Sequence, residues 1–173
     1  MARREALREL QSRLAERMQA ARAAETVQSW LAVECAGHGL LFPLAQAGEI
    51  FPMVPLLAVP HTHPWFLGVA NLRGSLHGVV DLAAFLGVRG AAASTREQSR
   101  LVAFNPSLEV NGALLVDRLA GLRSAGQLEA VEGPRGARPP FVGNRYQDAH
   151  KRTWQELNLS ALAGDEQFLR IAG

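Results

Sequence analysis

The sequence predicts a mainly β protein preceded by one helix. Beyond Trp30 the apolar residues come in short runs broken by glycine and proline, without the rhythm of a helix. Many such runs at close spacing suit a small barrel or sandwich better than a parallel α/β sheet. Only residues 3–24 carry a clear helical pattern, with Leu7, Leu10, Leu14 and Met18 three and four apart on one face.

In that helix Glu9 and Arg13 stand at i and i+4, acid before base, which is the favourable order. Its apolar face packs on the protein's own barrel or on a partner. A membrane-surface role is the weaker reading, because glutamates interrupt the basic face. Residues 30–35 form a first strand, Ala36-Gly37-His38-Gly39 a turn, and residues 40–44 the return strand of a hairpin. Residues 47–51 continue as a further strand. Pro52, Pro55, Pro60 and Pro64 then keep the chain extended or turning.

Residues 65–72 and 76–82 read as two strands around Arg73-Gly74-Ser75. Asp81 caps a short helix over 82–86 that Gly87 ends. Residues 89–99 are small and polar and form the best internal linker. Residues 100–104 and 110–116 pair around Asn105-Pro106-Ser107, and residues 132–140 are irregular. Residues 141–146 and 151–157 give a last strand pair. A helical turn follows at 159–162, then a terminal segment at 166–171 whose type the pattern leaves open.

A chain of 173 residues fits one domain or two small lobes with a shared core. Seventeen arginines, one lysine (Lys151) and 16 acids leave a net charge of only +2, and the arginines are scattered rather than striped. That distribution argues against a nucleic-acid surface. Cys35 is the only cysteine, so neither an intrachain disulfide nor a cysteine zinc site can form, and in its apolar strand it reads as a small buried hydrophobe. No apolar stretch has the length of a membrane span or a secretory leader, so a soluble cytoplasmic protein without membrane insertion is expected.

Catalytic motifs are missing. There is no phosphate-binding Gly-x-x-x-x-Gly-Lys loop and no Gly-x-Gly-x-x-Gly opening a helix. Gly74-Ser75-Leu76-His77-Gly78 lacks the Gly-x-Ser-x-Gly order, and a Ser75–His77–Asp81 triad would need three side chains of one strand region to converge. His61 and His63 could share a zinc ion only with a third ligand such as His77 or Glu49; flanking Pro60 and Pro64 favour a plain turn. No catalytic residue, metal or cofactor is expected. A nucleic-acid-binding barrel and a small zinc hydrolase using His61, His63 and His77 remain the remote alternatives.

One constellation has a specific likeness. Residues 30–35, the strand ending Phe42-Pro43-Leu44, Glu49-Ile50 and Val59-Pro60 lead into Pro64-Trp65-Phe66-Leu67-Gly68-Val69-Ala70-Asn71-Leu72-Arg73-Gly74. Val79-Val80-Asp81-Leu82 and Phe85-Leu86-Gly87 follow, then Arg100-Leu101-Val102-Ala103-Phe104 and Gly112-Ala113-Leu114-Leu115-Val116-Asp117. Over about residues 30–146 this resembles the CheW family of chemotaxis coupling proteins. The resemblance implies two intertwined five-stranded SH3-like β-barrels, with residues 1–27 an added helical extension, 28–173 the CheW-like domain, and a connecting loop around 89–99. It implies a non-catalytic adaptor between a chemoreceptor's cytoplasmic tip and the regulatory domain of a CheA-type histidine kinase, at membrane-bound receptor arrays. The long N-terminal helix, the tryptophan opening the first strand and the ending Phe168-Leu169-Arg170-Ile171-Ala172 look most like the PilI-type branch, which serves type IV pilus twitching motility; a CheW of flagellar chemotaxis is the alternative.

The implied protein-binding residues are Glu49, Gly68, Val69, Asn71, Arg73, Gly74, Val116 and Asp117, with Asp81 and Gly87 as structural members of the motif. Glu49 and Arg73 are expected to pair, partly buried and bidentate, Arg73 either ordering the turn or touching the receptor. Gly68 and Gly74 bracket the strand where bare backbone permits a tight turn or another chain's close approach. Gly78 replaces the family's usual proline, and Trp154-Gln155-Glu156-Leu157 stands where an apolar-Leu-Leu-Asp closing strand is usual.

Overall fold

In a computed structural model, residues 2–25, 28–89, 97–133 and 135–173 are described, the first helix with its side chains as far as Met18. The elements run α1 (Ala2–Glu25), β1 (Ser29–Cys35), β2 (His38–Pro43), β3 (Ala47–Pro52), β4 (Phe66–Leu72), β5 (Ser75–Asp81) and α2 (Leu82–Phe85). They continue as β6 (Arg100–Phe104), β7 (Gly112–Val116), β8 (Arg118–Ser124), β9 (Glu129–Val131), β10 (Val142–Gln147), β11 (Thr153–Leu157), α3 (Leu159–Ala163) and α4 (Glu166–Leu169). Most of the linker expected at 89–99 lies outside the described residues.

Two mixed sheets carry the fold. One has six strands in the order β8-β1-β2-β11-β10-β9, the other five in the order β3-β6-β7-β5-β4. The hairpins β1–β2, β4–β5, β6–β7 and β10–β11 are antiparallel, whereas β2–β11 and β5–β7 pair in parallel. The five-stranded sheet is one continuous stretch of chain, inserted between the two halves of the six-stranded one.

Side-chain alternation explains why the strands read as nearly unbroken apolar runs: both faces are buried. In β6, Val102 and Phe104 enter a central core between the sheets, while Leu101 and Ala103 enter a core belonging to the five-stranded sheet alone. In β1, Leu31, Val33 and Cys35 face the central core and Trp30 and Ala32 face a third core with Leu41 and Trp154. Each large side chain so buried stabilises by roughly 1.5–3 kcal/mol before chain entropy is counted. The C-terminal segment closes the central core: Phe168 of α4 stacks on Trp65 and meets Phe85 and Phe104 edge-on. From the β2–β3 turn, the Gln46 side chain accepts a hydrogen bond from Leu159 N–H at 2.7 Å and so caps α3.

The mainly β architecture and the added helix are as expected. The sheets are curled rather than closed, and the first has six strands. Two of those, β8 and β9, were not expected from sequence. β8 is an edge strand with Gly121 at φ +98° and a register shift opposite Ala32 and Val33, which breaks its alternation. Over residues 2–18 α1 does not pack on the sheets, since every side chain described there is exposed.

Candidate protein-binding surface

At one end of the five-stranded sheet the β4–β5 hairpin turns through Arg73 (φ +50°) and Gly74 (φ +81°). Two positive φ values in a two-residue loop suit the right-handed twist of the flanking strands. Asn71 holds the loop, its Oδ1 accepting from Gly74 N–H at 2.8 Å. The turn carries the Arg73 guanidinium to Glu49 of β3, Nη2 to Oε1 at 2.7 Å. β3 and β4 are opposite edges of their sheet, so this ion pair spans the mouth of its curl. The pairing is as expected but its setting is not. The side chains are 76% and 43% exposed and share one short contact, so the pair lies in water rather than partly buried and bidentate. A shallow cleft of about 290 Å³ opens beside it, walled by Glu49, Phe51, Arg73, Ser75, His77 and Asn111.

Gly68 has φ +135°, and a Cβ there would collide with the Leu57 carbonyl. The chain that approaches closely is therefore the protein's own: Leu57 and Val69 exchange backbone hydrogen bonds at 2.9 Å in both directions. Val69 is half-buried. Gly78 also has a reason to differ from proline, because its N–H donates to the Asn111 carbonyl at 2.9 Å.

The remaining members of the expected set lie elsewhere. Val116 is fully buried in the central core, so its side chain supports a surface without forming one. Asp117 follows it, at the end of β5 remote from Arg73, about 20 Å along six residues of strand. There Arg89 grips two carboxylates. Its Nε and Nη2 donate to both oxygens of Asp81 at 2.8 and 2.7 Å, and Nη2 also donates to Asp117 Oδ1 at 3.0 Å. The Asp117 Oδ2 accepts from Ala36 N–H at 2.7 Å, and Asp81 Oδ1 caps α2 through Ala84 N–H. Gly87, at φ +72°, turns the chain out of α2 so that Arg89 can come back. Hydrogen bonding to Asp81, above all, raises the Arg89 pKa and keeps it charged.

Sequence reasoning missed Arg89. It also missed Glu34, which takes Arg118 at 2.7 Å and Arg152 on its other oxygen. The Arg118 hydrogen bond foremost, with Arg152 assisting against burial, lowers the Glu34 carboxyl from the ordinary 4.5 to about 2. A signal for it existed: an acid between Val33 and Cys35 in a buried strand requires a cation. Nothing local marks Arg89.

The catalytic and metal readings find no geometry here. Ser75 and Asp81 sit at opposite ends of one extended strand, and Asp81 is committed to Arg89 and α2. Among the described residues no three His, Cys, Asp or Glu side chains gather to hold a metal. His63 stacks on Trp65 at 5.3 Å, and the 61–63 turn is pinned by the C-terminus, Gly173 N–H to His61 O and His63 N–H to Ile171 O. Burial pushes the Cys35 thiol up to about 12, which leaves it an unreactive apolar group. No helix among the described residues is long and apolar enough to cross a membrane.

Comparison with known proteins bears on the same stretch. The family model for the CheW-like domain matches residues 29–167. Protein PilI of Pseudomonas aeruginosa is 30% identical over 120 residues, covering 66% of this chain and 63% of that protein. A probable chemotaxis protein CheW of Rhizobium etli is 45% identical over 42 residues, 24% of this chain and 27% of its own. The chain thus spans less than two thirds of the length of either relative. The crystal structure of the scaffolding protein TtCheW from Thermoanaerobacter tengcongensis superposes with a TM-score of 0.65 at 18% identity, over 78% of this chain and 86% of that one, which shows the fold. With a family match across both lobes and the superposition agreeing with it, the chain belongs to the CheW-like domain family, whose proteins are non-catalytic scaffold adaptors.

Proposed function

We propose that this protein couples a chemoreceptor's cytoplasmic tip to the regulatory domain of a CheA-type histidine kinase, in an array that controls type IV pilus twitching motility. The observation that carries the reading is the family match over residues 29–167, which takes in both sheets. The likeness to PilI supports the pilus assignment. In this reading residues 28–173 act as the adaptor domain, residues 1–27 as an extension, and the protein works on the cytoplasmic side of the membrane.

Its contact surface is centred on Glu49, Asn71, Arg73 and Gly74, which the fold gathers at one exposed end. Gly68, Val116 and Asp117 serve that surface from beneath or from the far end of the sheet. A receptor-tip fragment and a kinase regulatory domain, each immobilised, test both levels. Wild-type protein should be retained by both, and Arg73→Glu should bind one of them at least about tenfold less while melting as wild type does. Retention by neither overturns the adaptor role; undiminished binding by both Arg73→Glu and Glu49→Arg overturns the surface. The match to a chemotaxis CheW favours flagellar output as the second reading. Deletion of the coding sequence discriminates, since loss of twitching with swimming intact supports the first and the reverse supports the second.

A further inference from the structure

α1 is a 24-residue helix, and its described side chains all face solvent. Four of them are large and apolar, Leu7, Leu10, Leu14 and Met18, each between 52% and 59% exposed. The charges around them are sorted. With Leu7 as origin and about 100° per residue, Leu10, Leu14 and Met18 fall within about 60° of it. Arg3, Arg4, Arg8, Arg13 and Arg17 take both flanks, at about 40° to 120°, and Glu5, Glu9 and Glu16 the back, within about 20° of the opposite pole. Over residues 2–18 the glutamates that break up the basic character in the linear sequence therefore lie away from the apolar seam. The Glu9–Arg13 pair, at 3.1 Å, is 67% and 72% exposed and leaves that arginine available.

We propose that this face of α1 docks on a partner protein that presents an aliphatic helix seam or groove rimmed by carboxylates. Charge complementarity selects that occupant. A second copy of α1 would set arginine flank against arginine flank, so self-pairing is repulsive in either orientation. A lipid surface fits less well, because α1 contains no aromatic residue and its seam is a single narrow line of four side chains. A narrow line of anchors three and four residues apart is how a helix enters a groove or zips to another helix.

The test uses the full chain and three probes: a synthetic helix with a leucine seam flanked by glutamates, the same helix with lysine flanks, and vesicles containing anionic phospholipid. The glutamate-flanked helix should bind, more weakly as salt rises, and Leu10→Glu/Leu14→Glu should weaken it at least about tenfold. Both leucines are exposed, so an unchanged melting curve shows that the variant keeps its fold. Arg4→Glu/Arg8→Glu/Arg17→Glu should shift preference to the lysine-flanked helix. Equal binding of the two peptides, insensitivity to the leucine changes, tighter association with vesicles than with peptide, or dimerisation through α1 would each overturn the proposal.

Discussion

Two ion-pair clusters at opposite ends of β5 use the same chemistry to different effect. At one end Arg73 meets Glu49 through a single contact between exposed side chains. At the other, Arg89 grips Asp81 in a fork and reaches Asp117, with side-chain exposures of only 24%, 12% and 15%. The exposed pair is screened by water and contributes at most about 1 kcal/mol to stability. The sheltered cluster joins the end of β5, the start of α2, the β7–β8 corner and the β1–β2 turn, so removing its cation strands two acids. The sheltered ion pairs are concentrated at one end of β5, and the pair at the other end is left exposed to water.

Breaking the sheltered cluster tests that contrast most severely. Arg89→Ala should cost about 3 kcal/mol in urea unfolding, because it leaves Asp81 and Asp117 uncompensated. A loss under about 1 kcal/mol would erase the difference between the two ends. Next comes Gly68→Ala, expected to destabilise by roughly 2 kcal/mol through its left-handed φ and the collision with Leu57, and to free residues 57–58 for proteolysis. Gly74→Ala meets no neighbour and carries only the conformational part, about 1 kcal/mol.

Acid sharpens the comparison further. Glu34 belongs to the sheltered end, since its carbonyl accepts from Asp117 N–H at 2.9 Å. Its folded pKa lies below the ordinary value, so its pairs contribute fully above about pH 4.5 and are lost as the pH falls toward about 2. After allowance for the exposed arginines this is on the order of 2 kcal/mol, and Glu34→Gln should flatten that part of the stability–pH curve. The smallest effect is expected at the exposed end, where Arg73→Ala should change stability by under about 1 kcal/mol. A larger loss would mean that the Glu49–Arg73 pair braces the sheet rather than presenting a surface.

What the sequence disclosed divides along the same line. The hairpin at 71–75, the Asp81 cap and the Gly87 stop are local devices, and local spacing revealed them. Glu49 with Arg73 came from the family pattern, which predicted the partner but not its exposure to water. Gly68 read as bare backbone for a tight turn or for another chain's approach, whereas the segment against it is the protein's own residues 57–58, held by hydrogen bonds that leave no mark in side-chain pattern. Arg89 stood in what read as a linker, because a pair joining a strand end to a distant corner has no period. β8 and β9 went unseen for a related reason. One is bulged at an edge and the other is three residues long, so neither alternates over enough length to register.

The insertion of one sheet within the other has a consequence for the order of folding. Every strand of the five-stranded sheet lies between Ala47 and Val116, whereas β2 must wait for β11, with Leu40 opposite Gln155. Closing that second loop carries the larger entropic cost and comes late. A chain leaving the ribosome can complete the lobe that bears Arg73 while β1 and β2 still lack their last neighbour. Pulse-labelled hydrogen exchange during refolding should accordingly protect β6 and β7 before β2 and β11.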